Sequence, residues 1–391
     1  MEEPFMNNAI THDPISRRTF LKLAAGTAAG AMLFKFPFTA SAKEAAAAME
    51  IHPIALADLP KTGEAAAKAA PLIKSSYADI LKIVDTIKDS SLRSAVLAMI
   101  KNPFPTFMEN YTSSSSIQRL YNQLLDQKLI DPSKISAETL LPPVPTKLQP
   151  FMTAPGSGYM SHHSYPGGLS THVDSNLHIT VGICETYKDV FHYDVDYDTA
   201  VAAQALHDIE KPFVFQWQED GSSRKEYTIA GQGAHHVLSI AESIYRGMPA
   251  EEIVAQACAH AAPTSKKEEA DVVSWIRAAS IIIGKDPVRL GLLTSDGEGL
   301  PAPHKQEGYI VHLGDHDWVL SVPAAQKSIA ILKSICRKDY GFTEQEANGA
   351  RFNAFRNYIG AQVSFLYINH LSSLPDAENQ LRNLCHQVVL K

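Results

Sequence analysis

Twelve of the 16 histidines fall between His162 and His316, and several stand beside carboxylates. His172 lies in "GGLSTHVDSNLHITVGIC", His207-Asp208 in "AVAAQALHDIEKPF", and Asp315 in "YIVHLGDHDW". Between them come His235-His236 and His260. Each residue alone reads as an ordinary buried or helix-terminal polar group. The ordered set H…HD…H…H…D at helix ends and core-facing turns reads as metal ligands. Imidazole with carboxylate suits Mn, Fe, Zn or Ni better than Ca.

Helices must deliver these residues. On a helix His172 shares a stripe with Asn176, Ile179 and Ile183, while His178 points about 120° away and is structural. His207 and Asp208 stand about 100° apart, so only an ion at the helix edge touches both. Apolar residues at three- and four-residue steps predict helices near 169–187, 197–210, 234–247, 250–261, 270–283, 306–320, 323–337, 344–370 and 375–389. The alternating segment "FVFQWQEDGSSRKEYTIAG", Phe213 to Gly231, predicts a hairpin between helices. Before Gln149 the pattern is again helical, as in "YADILKIVDTIK" and "SIQRLYNQLLDQKLI", and the proline-rich "LPPVPTKLQP" marks a boundary. The expected class is all-α, in four parts: a signal over 1–42, a helical region and linker over 43–150, a metal-binding unit over 151–330, and C-terminal helices over 331–391.

With 45% hydrophobic and 20% charged residues the chain can bury one large core or two modest ones. A net charge of −7 without a long basic run argues against a nucleic-acid scaffold. Ser16-Arg17-Arg18-Thr19-Phe20-Leu21-Lys22, a mild apolar stretch and Ala40-Ser41-Ala42 resemble a twin-arginine export signal. Lys35 interrupts the apolar run, so a removable signal is expected rather than an anchor, with a periplasmic or otherwise exported product. No other apolar run is expected to span a bilayer. His12-Asp13 falls inside the signal and is a decoy. That export route carries folded proteins, so a metal could be loaded beforehand. Cys184, Cys258, Cys336 and Cys385 form no C-x-x-C pair; Cys184 and Cys258 read as buried thiols, with one disulfide left open.

Five ordered blocks carry a resemblance: "HHSYPGGLSTH" (162–172), "ALHDIEK" (205–211), "EYTIAGQGAHH" (226–236), "CAH" (258–260) and "IVHLGD" (310–315). Together they resemble the HD superfamily of metal-dependent phosphohydrolases, and the HD domain of some bacterial 3′-to-5′ exoribonucleases. The resemblance covers about residues 155–320 and implies an HD helical bundle. It implies that His172, His207, Asp208 and Asp315 hold one divalent ion, and that Asp208 bridges to a second completed by His236 and His260. The ions would be one or two of Mn, Fe, Mg, Zn or Ni. Ungapped alignment of "EYTIAG" favours His236 over His235, although helix geometry alone does not choose. Catalytic roles fall to Asp208, Lys211 and His162 or His163, the last three facing the substrate phosphate. Arg224 and Lys225 are candidate phosphate contacts; His304, His312 and His316-Asp317 are left unassigned. Two departures stand out: Glu210 occupies the glycine position of HD-x-G-K, and region 43–150 is helical where the exoribonucleases carry an OB-fold.

The chain has neither G-x-S-x-G nor G-x-x-x-x-G-K-[ST], so water activated by metal is the economical nucleophile. The expected function is an exported phosphohydrolase acting on a small phosphomonoester or phosphodiester, a nucleotide included. Lys211 would stabilise phosphoryl charge and a histidine of the 162–163 pair would protonate the leaving oxygen. The alternatives are an HD-fold di-iron oxygenase and a non-catalytic metal- or ligand-binding protein.

Overall fold

The computed structural model describes residues 49–302 and 305–391; the expected signal, with His12-Asp13, and His304 lie outside the described residues. The chain is all-α. In order, the longer helices are α1 Gly63–Ala69, α2 Pro71–Val84, α3 Ser90–Lys101, α4 Ser114–Asp126, α5 Gly168–Phe191, α6 Tyr197–Leu206 and α7 Ala234–Arg246. They continue with α8 Ala250–Ala257, α9 Lys266–Ile283, α10 Lys305–Asp315, α11 Trp318–Tyr340, α12 Ala350–Val363, α13 Phe365–Leu371 and α14 Ala377–Val388. Strands are two residues long: β1 Ile54–Ala55 pairs in parallel with β4 Val389–Leu390, and β2 Thr228–Ile229 pairs antiparallel with β3 Gln232–Gly233.

The centre of the fold is α6. Every residue from Thr199 to Leu206 is buried, because "TAVAAQAL" offers small side chains all round and lets α3, α5, α8 and α10 pack closely against it. Asp196 caps its start by accepting from Thr199 N. The helix ends at Leu206, so His207 to Glu210 form a turn rather than the expected last helical turn. The start of α5 is fixed by Gly167 at φ 79°, where a Cβ would collide with Ile73 of α2.

One hydrophobic core runs from Ile80 to Leu300 and is shared by α2 to α9. A second joins Ala66, Ala67, Ala70 and Ile73 near the N-terminal end to α11–α14, including Phe355, Phe365 and Val388. The predicted helix over 344–370 is broken at Ser364, whose φ of 65° is incompatible with a continuous right-handed helix, dividing α12 from α13. The predicted hairpin over 213–231 is smaller than expected. Lys211–Val214 is a helical turn, a single bridge joins Trp217 to Ser223, and the ladder falls downstream at β2–β3.

The stretch Lys305–Tyr340 is long and apolar enough to cross a membrane by length and composition, contrary to the expectation of no such run beyond the signal. It comprises two helices interrupted at His316-Asp317, and it buries Ile310, Val311, Ala325 and Leu332 as well as Asp315. All four cysteines are buried free thiols.

Candidate metal centre

Three packed helices and two turns converge on two carboxylates. His172 comes from the second turn of α5, His207-Asp208 from the turn after α6, and Asp315 from the last residue of α10. His172 Nε2 lies 3.0 Å from Asp208 Oδ2 and 3.2 Å from Asp315 Oδ1. His207 Nε2 lies 3.1 and 3.3 Å from the same two oxygens. The remaining oxygens face a second group: Asp208 Oδ1 is 3.3 Å from His235 Nε2, and Asp315 Oδ2 is 3.3 Å from His260 Nε2. Each carboxylate thus gives one oxygen to each half of the cluster.

These spacings suit divalent ions. Ligand atoms about 2.0–2.2 Å from a common ion stand roughly 3.0–3.5 Å apart. His207 Nε2, His235 Nε2 and Asp208 Oδ1 are buried without hydrogen-bond partners, which is expensive unless another group satisfies them. The His/Asp clusters are therefore able to hold metal.

The far nitrogens of His207, His235 and His260 are hydrogen-bonded from outside. His207 Nδ1 donates to the Gln204 carbonyl (2.7 Å), and His235 Nδ1 to Glu226 Oε1 (2.6 Å). The Gln232 side-chain amide is hydrogen-bonded to His260 Nδ1 (2.5 Å), and His172 Nδ1 faces Asp317 Oδ1 at 3.9 Å. Fixing one imidazole nitrogen presents the other, which is how ligating histidines are usually oriented. Asn176 Nδ2 donates to Asp315 Oδ1 (2.8 Å). Burial works against charge here, yet Asp208 and Asp315 hold the His207 imidazole up at about 10, and His207 keeps both carboxyls well below their usual range. Two ionised carboxylates in a buried cluster attract positive charge strongly.

Of the expected ligands, His172, His207, Asp208, His260 and Asp315 meet. His236 does not. Its Nε2 donates to the Ala257 carbonyl (3.0 Å), and its ring lies between His260, stacked at 4.2 Å, and the edge of Trp275. Burial, with His260 alongside, pushes that imidazole well below its ordinary range. His235 takes the inward position because β3 enters α7 with Glu226 gripping both His235 N and Nδ1.

Lys211 Nζ pairs with Asp208 Oδ2 and donates to the Gly156 carbonyl (2.5 Å). The ring of His162 lies 5.1 Å from that of His172 and is partly exposed. His163 is buried and committed, with Nδ1 3.1 Å from Tyr165 Oη and Nε2 3.4 Å from Asp317 Oδ2. Arg224 and Lys225 have local contacts, to the Lys225 carbonyl and the Tyr227 ring. His178 is exposed beside Asp174, 3.5 Å away. Glu210 is buried towards α7, where burial and neighbouring Glu242 push its carboxyl well above the usual range. Glu226, Gln204 and Gln232 had no sequence signal, and Asp317 was left unassigned beside His316, since only a tertiary neighbour reveals a group that faces a ligand from behind. Asn176 was at hand four residues after His172, on the same stripe.

The model of the twin-arginine translocation pathway signal sequence matches residues 14–34. The chain is an exported one. It is also 26% identical over 214 residues to the dihydroneopterin 2′,3′-cyclic phosphate phosphodiesterase of Methanocaldococcus jannaschii, covering 54% of this chain and 71% of that protein. No solved structure matches the chain. The similarity is to a hydrolase of phosphodiesters, in keeping with the phosphohydrolase chemistry expected of the five blocks.

Proposed function

We propose that this exported protein is a metal-dependent phosphodiesterase of the HD type, acting on a small, soluble phosphodiester. One observation carries the reading: four imidazole Nε2 atoms converge on two shared carboxylates, each with its far nitrogen faced by another polar group. His172, His207, Asp208 Oδ2 and Asp315 Oδ1 would hold one ion. His235, His260, Asp208 Oδ1 and Asp315 Oδ2 would hold a second, with His235 replacing the expected His236. The similarity to an enzyme of cyclic phosphodiesters favours a diester over a monoester.

A divalent ion in such a site supplies Lewis-acid charge and lowers the pKa of water towards neutrality. The protein's own groups do the rest. Asp208 and Asp315 fix both halves in register. Lys211, held against Asp208 and the Gly156 carbonyl, offers positive charge to a phosphoryl oxygen. His162 is the better candidate to pass a proton to the leaving oxygen, because both nitrogens of His163 are already engaged. His163 is instead tied to Tyr165 and Asp317.

The test is metal analysis of the purified chain alongside hydrolysis of bis(p-nitrophenyl) phosphate, with and without added Mn. Mn-stimulated hydrolysis that Asp208→Ala abolishes is the expected result. Retention of both metal and activity by Asp208→Ala would remove the site assignment. Two bound irons with oxygen-dependent turnover and no hydrolysis would remove the hydrolytic reading.

A further inference from the structure

Arg356 of α12 is fully buried and has no carboxylate partner among the described residues. A guanidinium so far from water needs several acceptors; Nη1 and Nη2 find theirs in one loop, while Nε has none. Nη1 donates to the Tyr159 carbonyl (2.8 Å), and Nη2 to the Ser164 carbonyl and to Ser164 Oγ (3.1 Å). Its carbon Cζ stacks over the Tyr159 ring at 4.4 Å and lies 5.3 Å from the Phe365 ring. Tyr159 and Ser164 flank His162 and His163. Asn353, one turn earlier on α12, pairs with Tyr159 Oη.

The bracketed loop needs holding. His163 has φ 47°, a left-handed backbone that a β-carbon disfavours and that persists only where its surroundings over-determine it. Its carbonyl accepts from Gly156 N and Tyr165 N, both at 2.9 Å, and the Gly156 carbonyl in turn accepts from Lys211 Nζ. Arg356 closes this ring of contacts from the far side.

We propose that Arg356 is a positioning residue: from the C-terminal helices it clamps residues 159 and 164, and so holds His162 and His163 against the metal centre. The inference rests on the phosphodiesterase reading for its catalytic consequence, while the clamp is a property of the fold alone. The metal ligands come from α5, α7, α10 and the turns after α6 and α8, so the clamp acts on the proton-handling loop and leaves metal binding alone.

The experiment compares the full chain with Arg356→Met and Arg356→Lys, each checked for native helicity and metal content. In Arg356→Met, hydrogen exchange should rise at least about tenfold across residues 156–166, with α5 and α10 unchanged. On bis(p-nitrophenyl) phosphate, kcat should fall about 10- to 100-fold with KM nearly constant. Arg356→Lys should recover part of that loss, since one ammonium cannot bracket both carbonyls. The double variant Arg356→Met/His162→Ala should be no slower than His162→Ala alone, because both changes remove one function. Unchanged exchange across 156–166, or fully additive losses in kcat, would overturn the proposal. Should Arg356→Met fail to fold, Arg356→Lys carries the same comparisons. If the wild-type chain hydrolyses no phosphodiester, the functional reading falls, and exchange across 156–166 still decides whether Arg356 holds the loop.

Discussion

At the scale of single residues, adjacent histidines face opposite ways. His235 faces Asp208 with Glu226 behind it, whereas His236 is locked on the Ala257 carbonyl. His235→Ala should therefore weaken metal binding by at least the about 10- to 100-fold typical of losing an outer-shell partner, and His236→Ala should leave affinity unchanged; titration with Mn or Zn measures both. Glu252 of α8 offers a separate test, of stability. It is fully buried with both oxygens unsatisfied, and burial raises its carboxyl from 4.5 to about 8. Below the unfolded value it is protonated in both states and has no effect. Between 4.5 and about 8 the unfolded chain releases its proton and the folded chain keeps it, so stability declines as pH rises. Glu252→Gln should abolish that slope and add about 1–3 kcal/mol at pH 7 with little change at pH 4.5, read by urea denaturation at the two pH values.

At the scale of elements, the geometry of the candidate metal centre depends on how closely α10 approaches α5 and α6. Gly314, one residue before Asp315, faces Thr180 of α5 and Gln204 of α6, whose side chains hydrogen-bond each other at 2.8 Å. A Cβ at Gly314 would collide with both side-chain oxygens. Gly314→Ala should cost roughly 1–3 kcal/mol of stability by overpacking and, by displacing Asp315, weaken metal binding as well. Thermal unfolding and metal titration on one variant would link the two effects. If stability fell with metal affinity intact, Asp315 would not depend on that approach.

At the scale of the whole molecule, the centre lies where segments distant in sequence meet. Loop 156–166, α5, the turns after α6 and α8, α7 and α10 all contribute, and α12 grips both that loop and the Asp220-Gly221 turn through Asn353, Arg356 and Asn357. An ion bound across these elements stabilises only the folded chain. A saturating divalent metal should raise the unfolding temperature by at least about 5 °C over chelator-treated protein, and by much less in Asp208→Ala. Equal unfolding temperatures with and without metal would argue that no ion ties these elements together.

Much of this was legible in the residues themselves. The all-α class followed from helical periodicity, and the export signal from Arg17-Arg18 and its apolar continuation, because both are local properties of the chain. His172, His207, Asp208, His260 and Asp315 could be singled out only as an ordered set in five blocks, because a single histidine or aspartate at a helix end is an ordinary polar terminus. The choice of His235 over His236 could not be read from sequence. It depends on Glu226 reaching across nine residues of backbone and on the carbonyl of Ala257 in a different helix. Nor could Glu210 be placed beside α7, or Arg356 behind a loop nearly 200 residues earlier. Sequence determined which groups were available. Tertiary packing decided which way each imidazole turned, since that is fixed by the partner its other nitrogen finds.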